Sequence, residues 1–496
     1  MMRRIALVAL TAAVSACALG PNFKRPPAPA TPTYGTAPMD GDLAAANTVG
    51  GATQRFIKDM DIPAQWWTLF QSPKLNQLVE QALKNSPDVG AAQAALRQAH
   101  ELYSAQWTSL FPTVQGGVTG DRSQFPAATL SSPITTSNNI YNLFTAQLTL
   151  SYAPDLFGGT RRAIEQAKAQ EDSTRFQLEA TYLTLSSNVV VTAVQEASLR
   201  GQITATMRLL GLQHELTEKV LRQRSLGTAS DLDVLAQQAQ EAQTAQTLPP
   251  LQKQLGQARD ALTALLGRLP ANEPQETFEL TDLTLPTDLP VSVPSRLVEQ
   301  RPDVRQAEEN MHAASAAVGI ATADLLPQFA INADVGSSAL KLQNLFGAYT
   351  SFWDLGASLS QTLFDAGAAI HKRRAASAAL DQAGAQYRSA VILACQNVAD
   401  TLRALRSDAD ALRANDDSAR AAKTAFDLAE RQKSIGTISM VAVLNAEQTY
   451  QQAELSLVQA QANRYADTAG LFQALGGGWW NRSGEMKYEQ FSPTGE

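Results

Sequence analysis

Few side chains in this 496-residue chain are of a type that does chemistry unaided. There are four histidines, His100, His214, His312 and His371, and two cysteines, Cys17 and Cys395. Imidazole and thiolate bind zinc or drive nucleophilic catalysis when they sit at close, regular spacings or beside a matched base. Here the histidines are far from one another, no two form a pair at ligand spacing, and no P-loop, GxSxG or HExxH pattern occurs. Residues distant in sequence can still converge in space, but the expectation is no cofactor, no metal site, no catalytic residue and no enzyme. The carboxylates whose placement invites a role are Asp231 and Asp233, in the stretch "SLGTASDLDVL" at 225–235. Its near-copy, "SIGTISMVAVL" at 434–444, lies 209 residues further on.

The N-terminus reads "MMRRIALVALTAAVSACALGPNFKRP". Arg3 and Arg4 form a positive n-region and Ile5 to Ala13 an apolar core of signal-peptide length, so residues 1–16 are expected to be an export signal. Val14, Ser15, Ala16 and Cys17 resemble the bacterial lipobox, whose cysteine becomes the acylated first residue of the mature protein. By the same resemblance, Ala18 in place of aspartate permits sorting to the outer membrane. An acylated Cys17 leaves Cys395 without a disulfide partner; lying on an apolar helical seam, Cys395 reads as a small buried hydrophobe. Without Arg3 and Arg4 the chain has 38 basic against 47 acidic side chains, which argues against a nucleic-acid partner. After the signal no run reaches the 18 or so apolar residues of a membrane helix. A membrane could be spanned only by strands.

The repeat extends well beyond the two turns. "LVEQ" occurs at Leu78 and again at Leu297, followed by Pro87-Asp88-Val89 and Pro302-Asp303-Val304. Phe111-Pro112 and Leu326-Pro327 come next, then "LFGG" from Leu156 and "LFDAG" from Leu363. Landmarks in the same order imply one structural unit used twice.

Within each half the periodicity switches. Residues 161–224 and 372–433 contain no proline, and Val391, Val398, Leu405, Leu412, Ala419 and Phe426 recur every seven residues, as in a coiled coil. Either segment as one helix would run roughly 90 to 100 Å at 1.5 Å per residue. Before each helix the period becomes two. Phe144, Ala146, Leu148, Leu150 and Tyr152 alternate with polar residues, as do Trp353, Leu355, Ala357 and Leu359, and weaker partner strands begin at Thr113 and Phe329. Each half thus offers two strands of membrane-crossing length. Four strands do not close a pore, so several chains must contribute.

With "GPNFKRP" after Cys17, "WWTLF" at Trp66, the paired Pro-Asp-Val and Gly-Thr motifs and "ALGGGWW" at Ala474, the chain resembles TolC-like outer-membrane efflux proteins. The lipoprotein branch that works with resistance-nodulation-division pumps is the nearest in kind. The resemblance implies a mainly α fold with a membrane β-barrel: a long coiled-coil helical tunnel and four strands per chain, giving a twelve-stranded barrel in a homotrimer. It implies outer-membrane lipid around the barrel, a periplasmic adaptor (membrane fusion protein) and an inner-membrane pump as partners. The expected divisions are a lipidated Pro-rich arm at 17–60, a first efflux repeat at 61–270, with strands about 113–152, and an equatorial linker at 271–294. A second repeat follows at 295–475, with strands about 328–361, and a tail at 476–496. The expected activity is passive conduction from pump and adaptor to the exterior; the alternative is a periplasmic coiled-coil adaptor or scaffold without a pore.

In such proteins the Gly-Thr turns form the periplasmic tip. Gly227, Thr228 and Ser230, and Gly436, Thr437 and Ser439, should end one helix and cap the next. Residues five, six and nine places after the second glycine, here Val441, Ala442 and Asn445, should line the mouth. The resemblance makes Val441 an apolar ring and Asn445 a neutral one. Asp231 and Asp233 either supply negative charge at the mouth or serve only as solvated first-turn carboxylates.

Overall fold

The order of elements in the computed structural model repeats along the chain, over residues 18–35, 41–124 and 140–482, which the structure describes. The export signal 1–16, the lipidation candidate Cys17 and the end of the tail from 483 lie outside the described residues. The first half runs β1 (Arg55–Lys58), α1 (Pro73–Asn85), α2 (Pro87–Thr108), β2 (Thr113–Gln124), β3 (Ile140–Tyr152), α3 (Gly159–Ser225), α4 (Asp231–Ala245) and α5 (Leu248–Leu265). The second runs β4 (Asp288–Val291), α6 (Pro294–Gln300), α7 (Pro302–Ala323), β5 (Gln328–Ala339), β6 (Ser351–Ser360), α8 (Ala368–Ser434) and α9 (Met440–Ala474). Helices α2 and α7 both have 22 residues, and α3 and α8 both have 67. Pro87 and Pro302 open their helices, where the missing N–H is not needed and the fixed φ is already helical. The chain divides into two compact units: 1–25, 98–173 and 307–386 in one, and 26–97, 174–306 and 387–496 in the other.

The first unit contains a four-stranded antiparallel sheet in the order β2-β3-β5-β6. Its register gathers most of the apolar positions on one face, leaving Leu143 and Phe352 on the other. Gly116 is opposite Leu148, Leu148 opposite Val335, and Val335 opposite Trp353; the next row is Val114, Leu150, Ala333 and Leu355. Leu148, Val335, Trp353, Leu355 and Leu359 are all more than half exposed in the single chain. The opposite face is mainly polar: Thr149 hydrogen-bonds Asp334, which sits opposite Asp354, and the Thr145 and Ser338 hydroxyls lie 3.1 Å apart. The strands have 12, 13, 12 and 10 residues, enough for a tilted strand to cross a bilayer, which takes about 9–11. Strands β2 and β6 each have one neighbour, so each leaves a row of backbone groups for another chain.

In the second unit β1 pairs in parallel with β4, and Arg55 meets Asp288 at 2.5 Å. The "WWTLF" and "ALGGGWW" segments meet there: Trp66 stacks on Phe472 at 5.4 Å between centroids, and Trp480 Nε1 donates to Asp61 at 3.0 Å. Gly478, at φ +72°, sits so close to the carbonyls of Ile62 and Pro63 that a Cβ would overlap them. Along α8, Val398, Leu405, Leu412, Ala419 and Phe426 are buried as the seven-residue row predicts, but Val391 and Cys395 are only half-buried. A straight helix drifts about 20° per heptad, so a strict seven-residue row walks off the buried face at its end. The return helices differ between halves. Pro249 and Pro250, just inside the start of α5, have no N–H to continue the ladder of α4, whereas α9 runs unbroken for 35 residues.

Candidate functional site

Two turns, α3 to α4 and α8 to α9, share one hydrogen-bond pattern. At the end of α3, Gly227 N donates to the Arg224 carbonyl at 2.9 Å and Thr228 N to the Gln223 carbonyl at 2.9 Å. At the end of α8, Gly436 N donates to Lys433 and Thr437 N to Gln432, both at 3.0 Å. The bond that reaches back five residues requires a left-handed residue, supplied by Gly227 at φ +73° and Gly436 at φ +80°. Nothing lies within 4 Å of the place where either glycine would carry a Cβ, so backbone conformation alone selects it. Each threonine hydroxyl returns to the carbonyl its own N–H already bonds, Thr228 to Gln223 at 3.0 Å and Thr437 to Gln432 at 2.9 Å. The signature "GT" is therefore a double satisfaction of one orphan helix-end carbonyl.

The next helix is capped in both halves, by different means. Ser230 Oγ accepts from Asp233 N at 3.2 Å, while Ser230 N donates to Asp233 Oδ2 at 3.0 Å, a reciprocal capping box. The backbone N–H of Ser230, then its hydroxyl, holds the Asp233 carboxyl below the usual carboxylate range. Ser439 Oγ accepts from Ala442 N at 3.4 Å, and the Ala442 methyl has no acceptor to return the bond. Asp231 pairs with Arg224 across the first turn at 2.5 Å. Both candidate carboxylates thus have intrachain partners.

Beneath the turns lies an apolar cluster that includes Leu216 and Val220 of α3, Val234 of α4, Ala422 and Phe426 of α8, and Met440, Val443 and Tyr450 of α9. Phe426 and Tyr450 stack at 6.0 Å. Val443 and Glu447 turn inward to this cluster side of α9, whereas Val441, Ala442 and Asn445 are exposed, Val441 by 60%. Periodicity alone places Val441 and Asn445 on one side, since residues four apart share a helix face.

Two features of the tip escaped the sequence reading. Leu226 and Ile435, the residues immediately before each glycine, are 73% and 74% exposed, and Leu232 and Leu235 are also exposed. The recurrence of a large aliphatic at both turns, "SLGT" and "SIGT", was the available signal. Glu447 is fully buried, with no well-formed hydrogen bond to either carboxyl oxygen and Gln213 as its nearby amide. Its spacing, four after Val443 and three before Tyr450, gives away the burial. As for the other titratable groups, His100 contacts Glu171 at 2.9 Å and His214 contacts Glu241 at 3.2 Å. Among the described residues no three His, Cys, Asp or Glu groups converge as metal ligands.

A family model described as outer membrane efflux protein matches residues 78–268 and 293–477, one stretch in each half. The pyoverdine export outer membrane protein OpmQ of Pseudomonas putida is 30% identical over 482 residues, covering 96% of this chain and 98% of that protein. The toluene efflux pump outer membrane protein TtgC of Pseudomonas putida is 27% identical over 491 residues, covering 99% and 98%. The solved outer-membrane channel OprN superposes with a TM-score of 0.82 at 28% identity, over 93% of this chain and 100% of that one.

Proposed function

Because the chain belongs to the outer membrane efflux protein family and is the outer-membrane channel of a tripartite efflux system, we propose that its two Gly-Thr turns form the periplasmic mouth of that channel. Family channels are trimers that work with an adaptor and an inner-membrane efflux pump, so the reading of a scaffold without a pore is set aside. The pump is assigned to the resistance-nodulation-division type. Cys17 bears the lipid that anchors the arm. Given relatives named for pyoverdine and toluene, the cargo is a small organic molecule.

One observation supports the mouth assignment: Val441, Ala442 and Asn445 are exposed on α9 while Val443 and Glu447, their neighbours on the same helix, are buried. Threefold symmetry about that mouth would bring three Val441 side chains together. Val441 then forms the apolar constriction and Asn445 a polar ring that accepts ions of either sign. Asp231 and Asp233 supply negative charge beside it. Since Arg224 offsets Asp231 and the cap occupies Asp233, their effect on selectivity is small compared with that of unpaired carboxylates. Planar-bilayer recordings test the reading. Val441→Ala should raise conductance, and Asp231→Asn with Asp233→Asn should reduce cation preference. Unchanged conductance in Val441→Ala removes the constriction, and unchanged selectivity in both asparagine variants removes the charge claim.

A further inference from the structure

The segment that follows Cys17 does not trail from the first unit; it is fastened to it. Arg162 of α3 reaches it twice, Nε to the Leu19 carbonyl at 3.2 Å and Nη2 to Asn22 Oδ1 at 2.5 Å. Arg25 pairs with the buried Glu308 of α7 at 2.9 Å. Gly20 lies so near the backbone of Gly319 on α7 that no side chain would fit between them. Between these contacts the Phe23 ring lies flat on His312, with centroids 4.3 Å apart and planes at 15°.

His312 is bounded by acid on both ring edges. Nε2 is 3.0 Å from Glu165 Oε1 of α3, and Nδ1 is 3.3 Å from Glu309 Oε2 of α7. A neutral imidazole has a single N–H, so it would turn a lone pair toward one of these carboxylates. Only the imidazolium donates to both. Its positive ring also suits the face of Phe23, which attracts cations.

We propose that His312 is a proton-dependent clasp: as an imidazolium it joins α3 to α7 through Glu165 and Glu309 and holds Phe23, and with it the segment after Cys17, against the channel. Charged groups near it include Glu309 and Glu308 on its own helix, Glu165 and Arg162 on α3, and Arg25 on the segment itself. Arg162 is bound to Glu165 at 2.6 Å, and Arg25 to Glu308, so neither cation replaces the imidazolium at Glu309. The hydrogen bond to Glu309 and then that to Glu165 hold the ring's proton to a higher pH than usual, against the opposing effect of burial. The sign follows. A proton bound more tightly in the clasped form stabilises it at low pH, and that contribution disappears as pH rises through the elevated imidazole value. Below it the clasp adds to the hold on the segment; above it the arginine contacts, the Leu19 N–H bond to the Phe157 carbonyl and the Gly20 packing remain.

The test is hydrogen exchange of residues 18–25 in the full-length trimer in lipid nanodiscs, as protection factors corrected for intrinsic rates, from pH 5.5 to 9. In the wild type, protection should fall at least threefold across this range, with a midpoint above that of an ordinary imidazole. His312→Gln, which keeps one donor and does not titrate, should give a flat profile, while Phe23→Ala should lower protection at acid pH. Carbethoxylation of His312, read by mass spectrometry, reports the neutral ring directly and should show the same midpoint. A wild-type profile that stays flat, or an unchanged pH dependence in His312→Gln, overturns the clasp. Neither readout depends on conductance, so the outcome is independent of the mouth assignment.

Discussion

At the scale of single residues, the tip turns leave little freedom. Gly436→Ala forces a side chain into left-handed backbone and should cost about 1 kcal/mol, read as faster hydrogen exchange at the ends of α8 and α9 with distant helices unchanged. Ser230→Ala removes a cap and should cost about 1 kcal/mol, while Ser439→Ala, whose cap bond is longer and unreciprocated, should cost less. Glu447 makes a prediction in pH. Burial, opposed by Gln213 and aided by the nearby Glu430, raises its carboxyl to about 7 from an ordinary value near 4.5. The folded tip therefore holds the proton more tightly than the unfolded chain, and its stability should decline as pH rises from about 4.5 to about 7 and level off above. Glu447→Gln should abolish the decline; exchange of residues 440–452 at pH 5 and pH 8 measures it. The glycines, threonines and serines of the turns were legible in the sequence because each is selected by its own backbone. His312 was not: its meaning lies in Glu165 and Phe23, residues far away in the chain, and a lone histidine in a helix gives no hint of them.

At the scale of elements, the alternation of the strands was readable because a period of two fixes which side chains share a face, and the register then aligns Leu148, Val335 and Trp353. Lysine on that face should be poorly tolerated. Val335→Lys should cost about 2–4 kcal/mol if it sits near the midplane, measured by unfolding in lipid vesicles, whereas Asp354→Lys on the polar face should fold normally. The pairing of β1 with β4 was beyond sequence reading. Four residues are too few to show a period, and nothing local links Arg55 to Asp288. The seam of α8 was legible in its middle and misleading at Val391 and Cys395, where helical drift defeats a strict heptad.

At the scale of the whole molecule, the twofold repeat and the unpaired edges of β2 and β6 both point past the single chain. Native mass spectrometry in detergent should show a trimer, and a stable monomer with full strand content would contradict the barrel. The mature N-terminus should begin at an acylated Cys17, and Cys17→Ala should yield an exported chain without lipid, both read by intact mass. The repeat was legible because its landmarks keep their order. The number of chains came only through the family resemblance, since no strand pattern states how many copies must meet to satisfy an edge.

The halves are alike but not the same. One return helix is interrupted at Pro249 and Pro250 and begins in an acidic capping box, while the other is continuous and begins in Met440 and Val441. With both turns at the mouth as proposed, three chains would present six hairpin ends of two kinds, and counting becomes a chemical question. A partner fitted to one kind would bind three times around that mouth. A partner that tolerates both binds six times, in three unequal pairs, and its two affinities differ even if its own copies are identical.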